Sequence, residues 1–304
     1  MSMKYLVPAL AVASGAYAQS SCSISGTTTI NAAADATALS GCQTFSGSIA
    51  IATGLADPVS IPGVRRITGD LVAVSNPLIP SISASSLQRI DGQFHLDDLQ
   101  VLSTLSFPQL SSVDSIIWNA LAGLQMLSFT TGVQMANEVN IQNTQLQSLD
   151  GINLATVDTV YIANNNWLND ISMQLGNIST SLTIESNGPN VSAIFPNLIW
   201  ANNMTFRTVS QIALNSLVSV NGSLGFIGNN FTSLQCANLT NVGTNKGDLT
   251  IVGNNNLMNA SFPQLKKIGG SLTIQNNTML KSVDGFPKLV TITGAVGMTG
   301  AFNK

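Results

Sequence analysis

Charge is what this sequence has least of. Only 8% of its 304 residues are Asp, Glu, Lys or Arg, with 11 Lys+Arg against 14 Asp+Glu, roughly a third of the ~25% usual in soluble domains. A nucleic-acid binder clusters basic residues on one face, but the adjacent basic pairs here are Arg65-Arg66 and Lys266-Lys267, so nucleic acid is excluded as a partner. Histidine is scarcer still. His95 stands alone beside three widely spaced cysteines, Cys22, Cys42 and Cys236, which cannot assemble a His/Cys transition-metal site; neither metal nor cofactor is expected. A run of about 20 apolar residues, the length a spanning helix needs, is also missing, although apolar residues make up 44% of the chain.

The longest apolar stretch lies at the start, where Lys4 precedes Tyr5 to Ala13 and Ala16-Tyr17-Ala18 follows. A basic n-region, a short apolar core and an A-x-A cleavage site read as a secretory signal peptide over residues 1–18. The mature chain then begins at Gln19, and loss of Lys4 leaves a net charge of 10 − 14 = −4. Secretion places the cysteines in an oxidising compartment, which favours a Cys22 to Cys42 disulfide. Closing so short a loop contributes about 3 kcal/mol in the chain-entropy picture. Cys236 has no local partner. It is either a buried free thiol or a half-cystine whose partner lies beyond Lys304.

Repeats then decide the fold class. The pattern aliphatic, any, Ile or Phe, any, any, Asn occurs at Val160/Ile162/Asn165, Leu182/Ile184/Asn187, Leu224/Phe226/Asn229, Leu249/Ile251/Asn254 and Leu272/Ile274/Asn277. Looser copies start at Thr28, Ile49, Leu71, Phe94, Ile117, Val139, Met204 and Val296. The spacing averages about 22.5 residues, a solenoid period. Residues i and i+2 of a strand face the same way, so each L-x-I pair points inward and the residue between it points to solvent. Upstream stand apolar pairs three apart, such as Val64/Ile67, Leu87/Ile90 and Leu265/Ile268. No stretch after the Asn keeps a 3.6-residue apolar pattern, so short parallel strands stacked coil on coil are expected, with almost no helix. Thirteen coils at about 4.8 Å each give a stack on the order of 60 Å long.

The Asn after each strand both donates and accepts, so stacked copies can satisfy backbone groups that a tight corner leaves unpaired. Phe107-Pro108, Phe195-Pro196, Phe262-Pro263 and Phe286-Pro287 recur at another corner, Pro presetting the backbone and Phe filling the interior. Asp91-Gly92, Asp150-Gly151 and Asp284-Gly285 read as turn dipeptides.

These residues carry a resemblance. The early Cys22 and Cys42, the G-x-L-x-I-x-x-N units such as Gly270 to Asn277, the F-P-x-L-x-x-I segments such as Phe262 to Ile268, and the L-x-S-[LV]-D-G-[IF] segments at Leu146 and Leu280 together resemble the fungal GPI-anchored cell-wall organisation proteins, the extracellular-mutant and sporulation-specific group with receptor L-domain repeats. The resemblance spans the mature chain. It implies an all-β, right-handed parallel β-helix-like solenoid at the plasma membrane and cell wall, needed for wall integrity, with no catalytic residues to carry over. Leu99 and Val209 depart from the pattern by filling the Asn slot. Family members continue past the position of Lys304 with a cysteine-bearing cap, a Ser-rich stalk and a GPI signal, so membrane attachment through a GPI anchor is expected beyond Lys304.

Two functions follow. The first is a non-enzymatic surface glycoprotein whose extended face binds or scaffolds cell-wall polysaccharide or a cell-surface protein, since stacked coils present a long row of small polar side chains. The second is a polysaccharide hydrolase or lyase, a chemistry that parallel β-helices also host. A hydrolase needs two carboxylates about 5 to 9.5 Å apart; Asp97-Asp98 is the adjacent acidic pair, with Asp70, Asp91 and Asp114 as stacking candidates. Turn chemistry and exposed-loop placement account for these residues, and no enzyme is expected. N-glycosylation acceptors occur at Asn177, Asn190, Asn203, Asn221, Asn230, Asn238, Asn259 and Asn276. Their number is what this composition yields by chance; their absence from the first half leaves that half bare for contact. The solenoid over residues 19–304 is read as continuous, with a division into two L-domain units near residues 150–158 as the alternative.

Overall fold

The computed structural model describes residues 22–302; the signal peptide read at residues 1–18 lies outside them. One parallel ladder runs the length of the molecule. It starts with Ser23–Ile30 against Thr44–Ile51, passes through Arg89–Asp97, Ser112–Asn119, Glu138–Gln142, Thr156–Ala163, Asn177–Glu185 and Trp200–Arg207, and ends at Val296–Thr299. Thirteen coils, about 22 residues apart, stack in this way among the described residues. The coil's other side carries shorter parallel ladders, such as Val59–Ser60, Ser81–Ser83, Thr104–Ser106 and Leu127–Ser128, and Asp170–Ser172, Ser192–Ile194 and Gln211–Ala213.

The inward pairs fill the core as the period-2 pattern requires: Leu182, Ile184, Leu249, Ile251, Leu272 and Ile274 are all buried, as are Leu87, Ile90, Leu265 and Ile268 of the upstream pairs. One repeat copy is displaced. Ile117 does not start the fifth pair; Ile116 and Trp118 point inward and Ile117 faces out, because Phe94 pairs with Ile116 and His95 with Ile117. Two adjacent Ile residues satisfy either alternation. Interior packing decides between them, since Trp118 sits edge-on to Phe94 at 5.5 Å and to Phe129 at 6.1 Å.

Among the described residues, helix is confined to Ala33–Ala38 and a following single-turn segment, Leu39–Gly41. Four of those six helical residues are Ala, the best helix former. The Asp35 carboxylate accepts from the N–H groups of Asn31 and Ala32 at 2.8 and 3.0 Å, satisfying donors that a helix start leaves free. This turn packs against Val59–Ser60 of the neighbouring coil.

Two columns make the corners. Residues in the left-handed region stand directly before the Asn slot in ten coils: Ser75, Asp98, Ala120, Asn143, Asn164, Ser186, Thr208, Gly228, Gly253 and Asn276. A left-handed residue turns a strand sharply, and even the β-branched Thr208 accepts the strain. The slot itself is buried, holding Asn76, Asn165, Asn187, Asn229, Asn254 and Asn277. Asn165 Nδ2 donates to the Ile141 carbonyl and to Asn187 Oδ1, each at 3.0 Å. Val209 interrupts the column, yet its N–H still donates to Asn229 Oδ1 at 2.9 Å. A second constraint falls at the bend before several of the L-x-I pairs, at Gly69, Gly92, Gly222, Gly247, Gly270 and Gly294, where coils nearly touch. A Cβ on Gly270 would lie 2.7 Å from the Gly247 carbonyl oxygen, so glycine is required there. Asp91-Gly92 belongs to such a bend. It lies within strand Arg89–Asp97, where the register shifts between Ile90 and Gln93, and is not a turn between elements.

Candidate functional site: the outward sheet face

In-register stacking converts one outward position per coil into a row. Val72, His95, Ile117, Asn140, Tyr161, Thr183, Thr205, Gly225, Thr250 and Thr273 are successive neighbours. A parallel row holds Val74, Asp97, Asn119, Gln142, Ala163 and Glu185. His95 thus faces outward between two aliphatic side chains. Among the described residues, no group of three His, Cys, Asp or Glu side chains could hold a metal ion.

The rows are bonded to themselves. Asn119 Nδ2 donates to Asp97 Oδ1, Asn143 Nδ2 to Asn119 Oδ1 and Gln142 Nε2 to Asn140 Oδ1, each at 2.7 Å. Further along, the Tyr161 hydroxyl donates to Glu185 Oε1 at 2.7 Å, and Arg207 Nε lies 3.4 Å from Glu185 Oε2. The hydrogen bond to Glu185 raises the Tyr161 pKa above its ordinary value, with partial burial and the carboxylate charge adding to it.

Each candidate carboxylate has a hydrogen-bond or ion-pair partner of its own, and two of them, Asp91 and Asp114, line one depression. Asp97 is flanked by Val74 and Asn119 in its row, with no acid above or below it. Asp98 is the left-handed residue of its corner, and Gln100 Nε2 donates to its Oδ1 at 2.7 Å. Asp70 Oδ1 accepts from the Gln93 N–H at 2.8 Å, and Asp114 Oδ1 from Asn137 Nδ2 at 2.7 Å. Asp91 bridges two arginines that stacking brings side by side, Arg66 and Arg89. Partial burial pushes the Asp91 carboxyl up, but hydrogen bonds and charge from Arg66 and Arg89 outweigh it and hold the group below its usual value.

Cys22 and Cys42 form a disulfide across 20 residues, and the Ser46 N–H donates to the Cys22 carbonyl at 2.8 Å beside it. Cys236 is a buried free thiol among the described residues. It takes the place that Phe195 and Phe262 hold in their coils, making the same turn hydrogen bond to the residue three further on. Burial pushes its pKa up to about 12. Of the sequon asparagines, Asn190, Asn203, Asn221, Asn230, Asn238, Asn259 and Asn276 are exposed and Asn177 is half-buried. None belongs to the buried ladder.

A stacked parallel solenoid whose outward face is a self-bonded polar surface, stapled at one end by a disulfide, defines a repeat scaffold of the cell exterior. The model of the Ecm33 family, described as a GPI-anchored cell wall organization protein, matches residues 1–40. Over 300 residues the chain is 39% identical to a cell surface GPI-anchored protein of Arthroderma benhamiae, covering 98% of this chain and 76% of that one. It is also 39% identical over 303 residues to protein ecm33 of Aspergillus fumigatus, covering 99% and 75%. Sporulation-specific protein 2 of Saccharomyces cerevisiae is 36% identical over 242 residues, 79% of this chain and 47% of its own length. No solved structure matches. The chain belongs to the Ecm33 family of fungal cell-wall organisation proteins.

Proposed function

We propose that this protein is a non-enzymatic cell-surface glycoprotein that supports cell-wall organisation and integrity by presenting its outward face as an extended binding or scaffolding surface. The observation that carries this reading is the register. It produces long rows of amide, hydroxyl and small side chains while keeping Asp97 between Val74 and Asn119. Many weak contacts along such rows suit a polymer or an extended partner, and cell-wall polysaccharide or a cell-surface protein is the partner class. Anchoring by GPI, which the names of the relatives state for them, is proposed for the whole protein; release from cells by a phosphatidylinositol-specific phospholipase tests it.

The Asp97→Asn/Asp98→Asn double variant, expressed in a strain lacking the gene, tests the non-enzymatic reading. Asn tolerates the left-handed conformation at residue 98, so the fold survives. Resistance to a wall-perturbing dye is expected to match wild type. A folded variant as defective as the deletion would restore the hydrolase reading, because loss of a general acid or base costs roughly 10² to 10⁴ in rate. Glycans are proposed at the eight sequons, and enzymatic deglycosylation with peptide mapping is expected to mark sites only from Asn177 onward.

A further inference from the structure

Trp167 is 59% exposed, whereas Trp118 is fully buried. A large aromatic ring held out in water is the kind of surface feature that marks a contact site when polar groups rim it. The ring does not hang from a mobile loop. Asn165, two residues before it, is locked into the buried amide column, and Leu168, directly after it, is buried and donates its N–H to the Asn165 carbonyl at 3.0 Å. The indole is therefore presented by a turn anchored on both sides, which lowers the entropic cost of binding.

Two depressions are lined in part by the ring. One, of about 250 Å³, is lined by Trp167 with Asn143, Gln145, Asn164 and Asn166 among others; the second, of about 70 Å³, is lined by Trp167 with Gln125, Gln145 and Gln147. Gln125 also borders a third, of about 330 Å³, so shared residues link the three depressions across neighbouring coils. No lining residue of the three is charged. Unlike Asn119, Asn140 and Asn143, which bond to or accept from other side chains of the face, the side-chain amides of Gln125, Gln145, Gln147, Asn164 and Asn166 make no hydrogen bond among the described residues. A primary amide both donates and accepts, which is what a ring of neutral hydroxyls demands.

We infer that Trp167 is the stacking platform of a subsite for a neutral polysaccharide, with the free amides of Gln125, Gln145, Gln147, Asn164 and Asn166 as its hydrogen-bonding rim. The C–H face of a pyranose ring packs on the indole, and its hydroxyls meet the amides of the rim. An anionic polymer would need arginine or lysine in the lining, and a protein hot spot would set its aromatic in a more apolar surround. Three depressions on neighbouring coils, linked through Trp167, Gln145 and Gln125, suit several linked rings rather than a single sugar. No sequon asparagine lines them. The inference rests on the polymer-binding branch of the function proposed above and assigns it a place.

The test uses the purified full chain with three probes: a soluble β-1,3-glucan, chitohexaose and a mannan, read by calorimetry. Wild type is expected to bind at least one. Trp167→Ala is expected to weaken that binding by about tenfold or more, Trp167→Phe by about threefold or less, and Gln145→Ala to fall between; Val290→Ala, at an exposed position outside the outward rows and the three depressions, leaves it unchanged. Trp167→Phe and Gln145→Ala keep the test decisive should Trp167→Ala fail to fold. If wild type binds and the Trp167 and Gln145 variants bind equally well, the subsite is overturned while polymer binding stands elsewhere on the face. If wild type binds none of the probes, both the subsite and the polymer branch fall, and wall-dye resistance of the Trp167→Ala strain then reports separately on the scaffolding role.

Discussion

Asn254 Nδ2 donates to Asn277 Oδ1 of the following coil and to the Phe226 carbonyl of the preceding one, each at 3.0 Å. Its own Oδ1 accepts from the Asn229 backbone N–H at 2.9 Å and from Asn229 Nδ2 at 3.0 Å. A single buried side chain thereby closes corners in three coils, and the column is a polar network with its donors and acceptors met inside an apolar stack. Asn254→Ala strips partners from Phe226, Asn229 and Asn277 together. Its expected cost is about 2–3 kcal/mol. Hydrogen exchange is the readout, with protection falling across the coils from Phe226 to Asn277 and remaining intact near Ile49. Unchanged protection around Asn229 would show that the column contributes no stability.

The Cys22 to Cys42 bond ties the outermost coil to the next one. Reduction, or Cys42→Ser, is expected to cost about 3 kcal/mol from the loop length alone and to speed amide exchange within Ser23–Ile30 before any other strand. Non-reducing peptide maps that show either cysteine free, or joined to Cys236, contradict the pairing.

Asp91 gives stability a pH dependence of definite sign. Its folded pKa lies below the ordinary 3.8, so the folded state binds the carboxylate's proton more weakly than the unfolded chain does. The contribution is fully present above the unfolded value and is lost as pH falls through the lower, folded value. Arg66 and Arg89 are about half exposed, at 50% and 52%, so solvent screening keeps the effect below about 1 kcal/mol. Denaturation midpoints of Asp91→Asn are expected to sit below wild type at pH 6 and to converge with it as pH drops below 3. A constant gap across that window would assign the loss to packing instead.

Cys236 is expected to ignore thiol reagents at pH 8 in the native protein and to react stoichiometrically once unfolded, because burial lifts its pKa to about 12 and denies access. Rapid native labelling would mean that this coil opens far more readily than its neighbours.

The alternation of Leu249, Thr250 and Ile251, the Asn five residues after each inward start, and the Phe-Pro corners were legible in the chain because each depends on local geometry: a strand's period of two, an amide's double capacity, proline's fixed backbone angle. The disulfide followed from the secretory context. Other features had no local signal. Ile116 and Ile117 are interchangeable by periodicity, and only the fit of Trp118 against Phe94 in the interior selects one. The short helix at Ala33–Ala38 was open to reading from its alanines, but the repeat pattern overrode that cue.

What the sequence determined by itself is therefore the unit: a coil of about 22 residues with an inward pair, a polar corner and a secreted, nearly uncharged surface. Tertiary structure decided which units touch where. Asp91 meets Arg66, Asp97 falls between Val74 and Asn119, and Trp167 rises beside Gln145 because residues 22 to 25 positions apart become neighbours only after the coils settle into register. That register is fixed by interlocking of buried side chains and by glycine contacts such as Gly270 on Gly247. Which outward residues become neighbours on the face is therefore a consequence of interior packing, because a one-residue slip would turn every inward side chain outward.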